Sequence, residues 1–160
     1  MIYPYAAPIS QSHLLRAKAL SVSLLLDGAK AAGIVLPGGG CLPPVLQPLD
    51  RNQTMVGTAA TVHTQPGDNR PIHLAIYSAK QAGYVLVIDG GSHDACAYMG
   101  DLMMGAAKAL GFSGLVIDGR VRDWDGLMQL DFPVYARGTS PLAPTKEKTA
   151  KSTSPTFWAA

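Results

Sequence analysis

Beyond residue 54 the chain alternates between short, nearly continuous apolar runs and stretches whose apolar residues recur at helical spacing. Met55–Thr64, rich in Val and Thr, predicts a strand. Gly67-Asp68-Asn69 predicts a turn, and Pro71 opens a helix that reaches Gln81, with Gly83 beyond it. Tyr84–Asp89 predicts a buried strand and Gly90–Gly100 a loop. Asp101–Leu110 follows as a helix between Gly100 and Gly111, then Leu115–Asp118 as a strand and Gly119–Asp123 as a second loop. Trp124–Leu130 predicts a short helix and Phe132–Ala136 a last strand. The first fifty residues read differently. Ser12 is placed to cap one short helix, and Ser21 or Ser23 another that runs through Leu24, Leu25, Leu26 and Ala29 to a stop at Gly33. From Gly33 to Asn52 glycines and prolines predict a long irregular connection. Gly38-Gly39-Gly40 lacks the Lys-Ser or Lys-Thr of a phosphate loop, so it reads as loop geometry.

One internal echo sets the topology. Leu86-Val87-Ile88-Asp89-Gly90 recurs 29 residues later as Leu115-Val116-Ile117-Asp118-Gly119. Two apolar strands joined by a helix predict a βαβ unit, with parallel strands and a right-handed crossover. The class expected is therefore α/β. The loops Gly90–Gly100 and Gly119–Asp123 should meet at the carboxyl ends of adjacent strands, where open α/β sheets bind ligands.

Composition narrows the field. A chain of 160 residues with 48% hydrophobic and 15% charged residues is globular in make-up. A domain of that length buries roughly 70% of its unfolded surface, so it needs no disulfide or metal for a core. Thirteen Lys+Arg against eleven Asp+Glu leave +2, too little for a broad grip on nucleic acid. No run approaches a membrane span, and Met1-Ile2-Tyr3-Pro4-Tyr5 lacks signal-peptide features, so a cytoplasmic location is expected. Cys41 and Cys96 are too few for a disulfide framework or a zinc site.

The loops carry the candidate chemistry. Asp101 is followed, after twenty residues, by Arg122-Asp123. Unpartnered amides in the first turn from Asp101 to Met103 favour a small carboxylate. Arg122 offers a planar charged fork for a second pair of oxygens. Asp101 and Asp123 are two hard oxygen donors, suited to Mg²⁺ or Mn²⁺ that retain waters. Asp101 and Asp123 fit equally well as caps of the helices they precede. Arg120 and Arg122 also fit as surface charges, and Asp89 and Asp118 as turn residues. His73, on an apolar helix, and His93, in the first loop, are more often structural than ligands or catalysts when they stand alone. Cys96 reads as a buried or loop thiol, and Met99, Met103 and Met104 as packing or pocket lining.

This stretch resembles the class II pyruvate aldolases of the 4-hydroxy-4-methyl-2-oxoglutarate/4-carboxy-4-hydroxy-2-oxoadipate type, a family that also contains the regulator of ribonuclease E activity A. The match is carried by Asp101 and Arg122-Asp123, by Val56–Val62, Gly67-Asp68-Asn69, Ile72-His73 and Ala75-Ile76. It continues in Val85–Gly91, Gly100–Met103, Val116–Gly119, Phe132–Gly138, Ser140-Pro141 and Pro144-Thr145-Lys146.

The resemblance implies a β/β/α domain like phosphohistidine swivelling domains, over residues 1–146, assembled as homotrimers or hexamers. It implies Asp123 as direct metal ligand, Asp101 as holder of metal-bound water, and Arg122 as contact to the keto acid and its enolate. It also implies Gly100, Asp101, Leu102 and Met103 as the loop that binds the substrate carboxylate. The implied reaction is divalent-metal-dependent cleavage of 4-hydroxy-2-oxo acids to pyruvate, with oxaloacetate decarboxylation as a second activity. Two other functions stand beside it: a protein-binding regulator of RNA degradation, and a methyltransferase, a name family members have carried although no Gly-x-Gly-x-Gly loop follows a first strand here. After Lys146 the sequence departs from the family pattern, without its further strands, its Pro-Gly-Asp turn and the glutamate a neighbouring subunit supplies. Residues 147–160 are then expected to form a mobile tail, unless Phe157-Trp158 anchors it, and turnover is expected to be poor while ligand binding persists.

Overall fold

The computed structural model describes residues 5–79 and 81–144. Residues 147–160, with the Phe157-Trp158 pair, and Thr145 and Lys146 lie outside the described residues. The elements in chain order are α1 (Gln11–Lys18), α2 (Val22–Ala31), β1 (Gln47–Pro48), β2 (Thr58–His63), α3 (Arg70–Ser78), β3 (Tyr84–Met99), α4 (Asp101–Ala109), β4 (Gly114–Val121), α5 (Trp124–Gln129) and β5 (Val134–Ala136). The five strands form one mixed sheet in the order β1-β5-β4-β3-β2. β2, β3, β4 and β5 run parallel to one another, and β1 is antiparallel to β5. The predicted βαβ unit is β3-α4-β4, with Leu86 opposite Leu115 and Ile88 opposite Ile117.

Burial follows the alternation of the strands. Leu86 and Ile88 on β3 and Leu115 and Ile117 on β4 face a core closed by Ile72, Ala75 and Ile76 of α3, Met104 and Ala107 of α4, and Leu127 of α5. Val85 and Val116 face the other side, where Leu46, Met55, Val87 and Tyr135 form a smaller cluster. Both faces are covered, which explains why these strands read as unbroken apolar runs.

Several boundaries move. Ser10, not Ser12, caps α1, because its hydroxyl lies three residues before the His13 N–H it bonds. Ser21 caps α2 by the same geometry, and Gly33 ends that segment at φ +71°. The strand predicted over Met55–Thr64 shortens to Thr58–His63, the residues that find partners on β3. Asp68 accepts the Arg70 N–H and starts α3 there, and α3 ends at Ser78, where Ala79 turns extended. The irregular connection contains a 3-10 turn at Pro37–Gly40 and pairs Gln47 and Pro48 with β5.

The largest difference is at Gly90–Gly100, expected as a loop. β3 runs on to Met99, pairing Ala97 with Arg120 and Met99 with Val121 after register shifts. Gly91 and Ser92, both at positive φ, turn the corner between its halves. β4 likewise extends to Val121, leaving Arg122 and Asp123 as its exit.

Tyr98 fixes that second half. It is fully buried, and its ring occupies the space where side chains at Gly90 and Gly119 would stand. Its hydroxyl donates to the Gly90 carbonyl at 2.5 Å and accepts the Gly67 N–H at 3.3 Å. Burial, reinforced by the charges of Asp89 and Asp118, pushes its phenol up to about 12, so it remains a donor at neutral pH.

Gly119→Ala should destabilise the fold by about 1–3 kcal/mol through overpacking. The added methyl would lie 2.6 Å from the Tyr98 ring, pressed against rigid aromatic atoms. A urea midpoint equal to wild type would show that the ring yields freely.

Candidate functional site

At the far ends of β3 and β4 the two strands deliver different structures. β3 passes through Gly100 into α4, and β4 passes through Arg122 and Asp123 into α5. The Arg122 N–H donates to the Met99 carbonyl at 3.0 Å, so the two exits are tied together at the last step of the sheet. Gly100 is extended, and its carbonyl accepts the Met104 N–H as the first bond of α4.

Each carboxylate of the predicted pair rests on a glycine. A Cβ at Gly100 would lie 2.0 Å from Asp123 Oδ2, and one at Gly126 would lie 2.7 Å from Asp101 Oδ2. The glycines leave the space the carboxylates fill. Asp123 has φ +63° and makes no side-chain cap bond, so its carboxylate is free of the capping role the sequence allowed it. A left-handed aspartate at the head of a helix is a small local strain of the kind that gathers at functional sites. Asp123 Oδ2 instead accepts Arg122 Nε at 3.1 Å, both side chains keeping more than a third of their surface in solvent. Asp101, at the first position of α4, accepts the Leu102 N–H at 2.7 Å.

Gly100, Arg122 and Asp123 are thus in direct contact, and Asp101 joins them through Gly126, three residues past Asp123. Leu102 stands 83% exposed on the outer face of α4. Met103 turns inward, its sulfur 3.6 Å from Asn69 Nδ2. Met99 and Met104 are core, as their reading as packing residues requires. Cys96 is buried, and burial pushes its thiol up, as an unreactive role demands.

Asp89 and Asp118 do more than turn the chain. Asp89 accepts the Gly91 N–H as a turn residue, but its other oxygen meets His63 Nδ1 at 2.9 Å. Asp118 receives Arg137 Nε at 2.5 Å and both the N–H and hydroxyl of Ser92. The Ser92 hydroxyl also lies 2.6 Å from an Arg137 nitrogen. A polar row, His63-Asp89-Asp118-Arg137, therefore runs from the end of β2 across the interior of β3 and β4 to the exit of β5. The sequence offered only the repeated Asp-Gly pair as a signal for it. Arg120 is no free surface charge: it stands 3.2 Å from Asp94 and bonds the Thr139 carbonyl. His93 lies edge-on to Tyr98 with ring centres 6.2 Å apart.

The donor set at Asp101 and Asp123 is all hard oxygen. Among the described residues no group of three or more His, Cys, Asp or Glu side chains gathers to close a cage. Two part-exposed carboxylates on glycine cradles fit a divalent ion that keeps waters and shares positions with a ligand, as Mg²⁺ and Mn²⁺ do, and do not fit a closed calcium or zinc site.

Fold and site define an open α/β protein with an acidic pair and an arginine at the mouths of adjacent parallel strands. The chain belongs to the RraA-like family: the family model, described as Aldolase/RraA, matches residues 31–156. A relative from Halalkalibacterium halodurans, provisionally named 4-hydroxy-4-methyl-2-oxoglutarate aldolase, is 40% identical over 105 residues, 66% of this chain and 50% of that one. The chain spans about half the length of the curated relatives it matches. Among solved structures, the RNA-processing inhibitor RraA from Thermus thermophilis aligns with a TM-score of 0.61 and 27% identity, covering 68% of this chain and 65% of that one. A structure named S-adenosylmethionine: 2-dimethylmenaquinone methyltransferase, from Geobacillus kaustophilus, aligns with a TM-score of 0.60 and 30% identity over the same shares. Among the described residues no helix is long and apolar enough to cross a membrane.

Gly100→Ala should separate Asp123 from Arg122, because the new methyl takes the place of Asp123 Oδ2. The Arg122 Nε–H resonance, measured by NMR, should move to the position of a free arginine while the remaining spectrum stays folded. An unmoved resonance would show that the carboxylate does not depend on this glycine.

Proposed function

We propose that the chain is a divalent-metal-dependent lyase that cleaves 4-hydroxy-2-oxo acids, of the 4-hydroxy-4-methyl-2-oxoglutarate type, to pyruvate. The observation that carries this reading is the pair of glycine-cradled carboxylates, Asp101 and Asp123, beside Arg122 at the joined exits of β3 and β4. The provisional names of the curated relatives support it.

Asp123 would hold Mg²⁺ or Mn²⁺ directly and Asp101 through water. The ion, when bound, supplies Lewis-acid polarisation of the 2-keto and carboxylate oxygens. Gly100 to Met103 present first-turn amides and the positive end of α4 to the substrate carboxylate. For the bond between C3 and C4 to break, the C4 hydroxyl must lose its proton as C4 becomes a carbonyl. Asp101 holds the water that takes this proton. The electron pair passes to the pyruvate enolate, and Arg122 stabilises the charge that appears there. Protonation at C3 then gives pyruvate. Decarboxylation of oxaloacetate releases carbon dioxide through the same enolate and would use the same groups. Small 2-oxo acids are the partners this chemistry requires, and assembly as a homotrimer or hexamer belongs to the same reading. Leu102, Val22 and Val35, large apolar side chains left exposed in the single chain, support that assembly.

Likeness to the RNA-processing inhibitor favours a second reading, a binding regulator of RNA degradation. A pull-down with ribonuclease E, positive for a chain that releases no pyruvate, would establish that reading over the first. The direct test of the lyase is pyruvate release from a panel of 4-hydroxy-2-oxo acids, with and without Mg²⁺.

Asp123→Asn should abolish turnover while the fold survives, since Asn tolerates the left-handed backbone but is a neutral, weaker ligand. Full activity of this variant, or of wild type in excess EDTA, would overturn the metal chemistry. Arg122→Lys should lower kcat by about 10²–10³, the usual loss for one stabilising donor, because a point ammonium lacks the two-oxygen fork. Steady-state kinetics equal to wild type would place Arg122 outside the reaction.

A further inference from the structure

Four segments meet around one buried tyrosine two residues ahead of the substrate turn. The Tyr98 hydroxyl bridges the turn before α3, through the Gly67 N–H, and the end of the first half of β3, through the Gly90 carbonyl. Its ring lies across Gly90 of β3 and Gly119 of β4. Its own carbonyl accepts Asn69 Nδ2 at 3.1 Å, and Asn69 is buried at the start of α3. The next carbonyl along, that of Met99, receives the Arg122 N–H, and the next residue is Gly100, on which Asp123 rests. A phenylalanine would fill the same core volume, so packing alone leaves the hydroxyl unexplained. The hydroxyl and the Asn69 amide fix the height at which β3 hands over to α4.

We propose that Tyr98 and Asn69 are positioning residues, a buried latch that sets the Gly100–Met103 turn against Arg122 and Asp123. The proposal rests on the lyase reading for what the turn binds, but not for the latch itself. Neither side chain touches substrate. Removing the hydroxyl leaves the Gly90 carbonyl and the Gly67 N–H without this partner, and the turn they frame loses its fixed place. The mispositioned amides then hold a carboxylate less well, although Asp123 and Arg122 are chemically intact. A displacement of the order of 1 Å is enough to matter at such a site.

The test uses the full chain as wild type, Tyr98→Phe, Asn69→Ala and a control, Tyr5→Phe. Tyr5→Phe also loses a hydroxyl bond, half-buried, to the Ala75 carbonyl of α3, away from the turn. Oxalate binding in the presence of Mg²⁺ is measured by calorimetry. Hydrogen exchange at the Met104 and Arg122 amides is measured in metal-free protein. Tyr98→Phe and Asn69→Ala should each weaken oxalate about tenfold, the scale of one buried hydrogen bond, and speed exchange at both amides. Tyr5→Phe should do neither at a comparable loss of thermal stability. If Tyr98→Phe fails to fold, Asn69→Ala, which spares the ring, decides the matter. Wild-type oxalate affinity and exchange in the two latch variants overturn the proposal, as does an equal effect of Tyr5→Phe. Failure of the wild type to bind oxalate with Mg²⁺ counts against the lyase reading instead, and the exchange arm still decides the latch.

Discussion

Everything at the candidate site depends on two parallel strands being held together past the point where their regular pairing fails. β3 and β4 pair residue for residue only as far as Ile88 and Ile117. Beyond that the register slips repeatedly, and a ladder with slips defines position poorly. The Tyr98 ring restores the definition. It needs two glycines at the same level of neighbouring strands, and Gly90 and Gly119 supply them. The Asp-Gly echo is therefore a steric requirement of one aromatic ring as much as a turn signal.

The same constraint separates the two faces of the sheet. In Asp89-Gly90 and Asp118-Gly119 the glycine faces the tyrosine and the core, so the aspartate one residue earlier faces the opposite side. There Asp89 meets His63 and Asp118 meets Arg137 and Ser92. Two carboxylates on neighbouring strands repel each other, and the Arg137 guanidinium beside Asp118 offsets that repulsion. Partly buried polar pairs of this kind contribute little net stability when complete, but removing one member leaves the other without its partner. The row therefore works as a register lock for β2, β3, β4 and the exit of β5, and it explains how the corner at Gly91-Ser92 is held despite two positive φ angles.

Legibility tracked how local each cause was. The β3-α4-β4 unit was legible because strands covered on both faces carry continuous apolar runs, and because Gly111 marks the helix end. The Asp101 and Arg122-Asp123 spacing was legible for the same reason, since topology alone brings the two exits together. Ser92-His93-Asp94 is polar and follows two glycines, so it reads as a loop. Its extended path comes from Ala97 and Met99 finding partners on β4, a tertiary effect no window of sequence contains. The His63-Asp89 and Asp118-Arg137 pairs join residues 26 and 19 positions apart, so local spacing left both aspartates as turn formers. Tyr98 escaped notice altogether, because its role lies in the absence of side chains at Gly90 and Gly119.

These arrangements explain why the acids of the site lie where they do. Asp89 and Asp118 lie where regular pairing of β3 and β4 ends, short of the strands' carboxyl ends, where ligand groups gather in an open α/β sheet. Asp89 is committed to His63 and a turn amide, and Asp118 to Arg137 and Ser92. A site of the proposed kind, for a divalent ion and an anion, would then use acids one step further out, on the exits that follow the tyrosine. Asp101 and Asp123 meet that condition: each is backed by a glycine, each heads a helix, and among the described residues the ion-pair partner of Asp123 is Arg122. The molecule thus divides its aspartates by depth along the same two strands. The inner pair fixes the frame, and the outer pair remains available for chemistry.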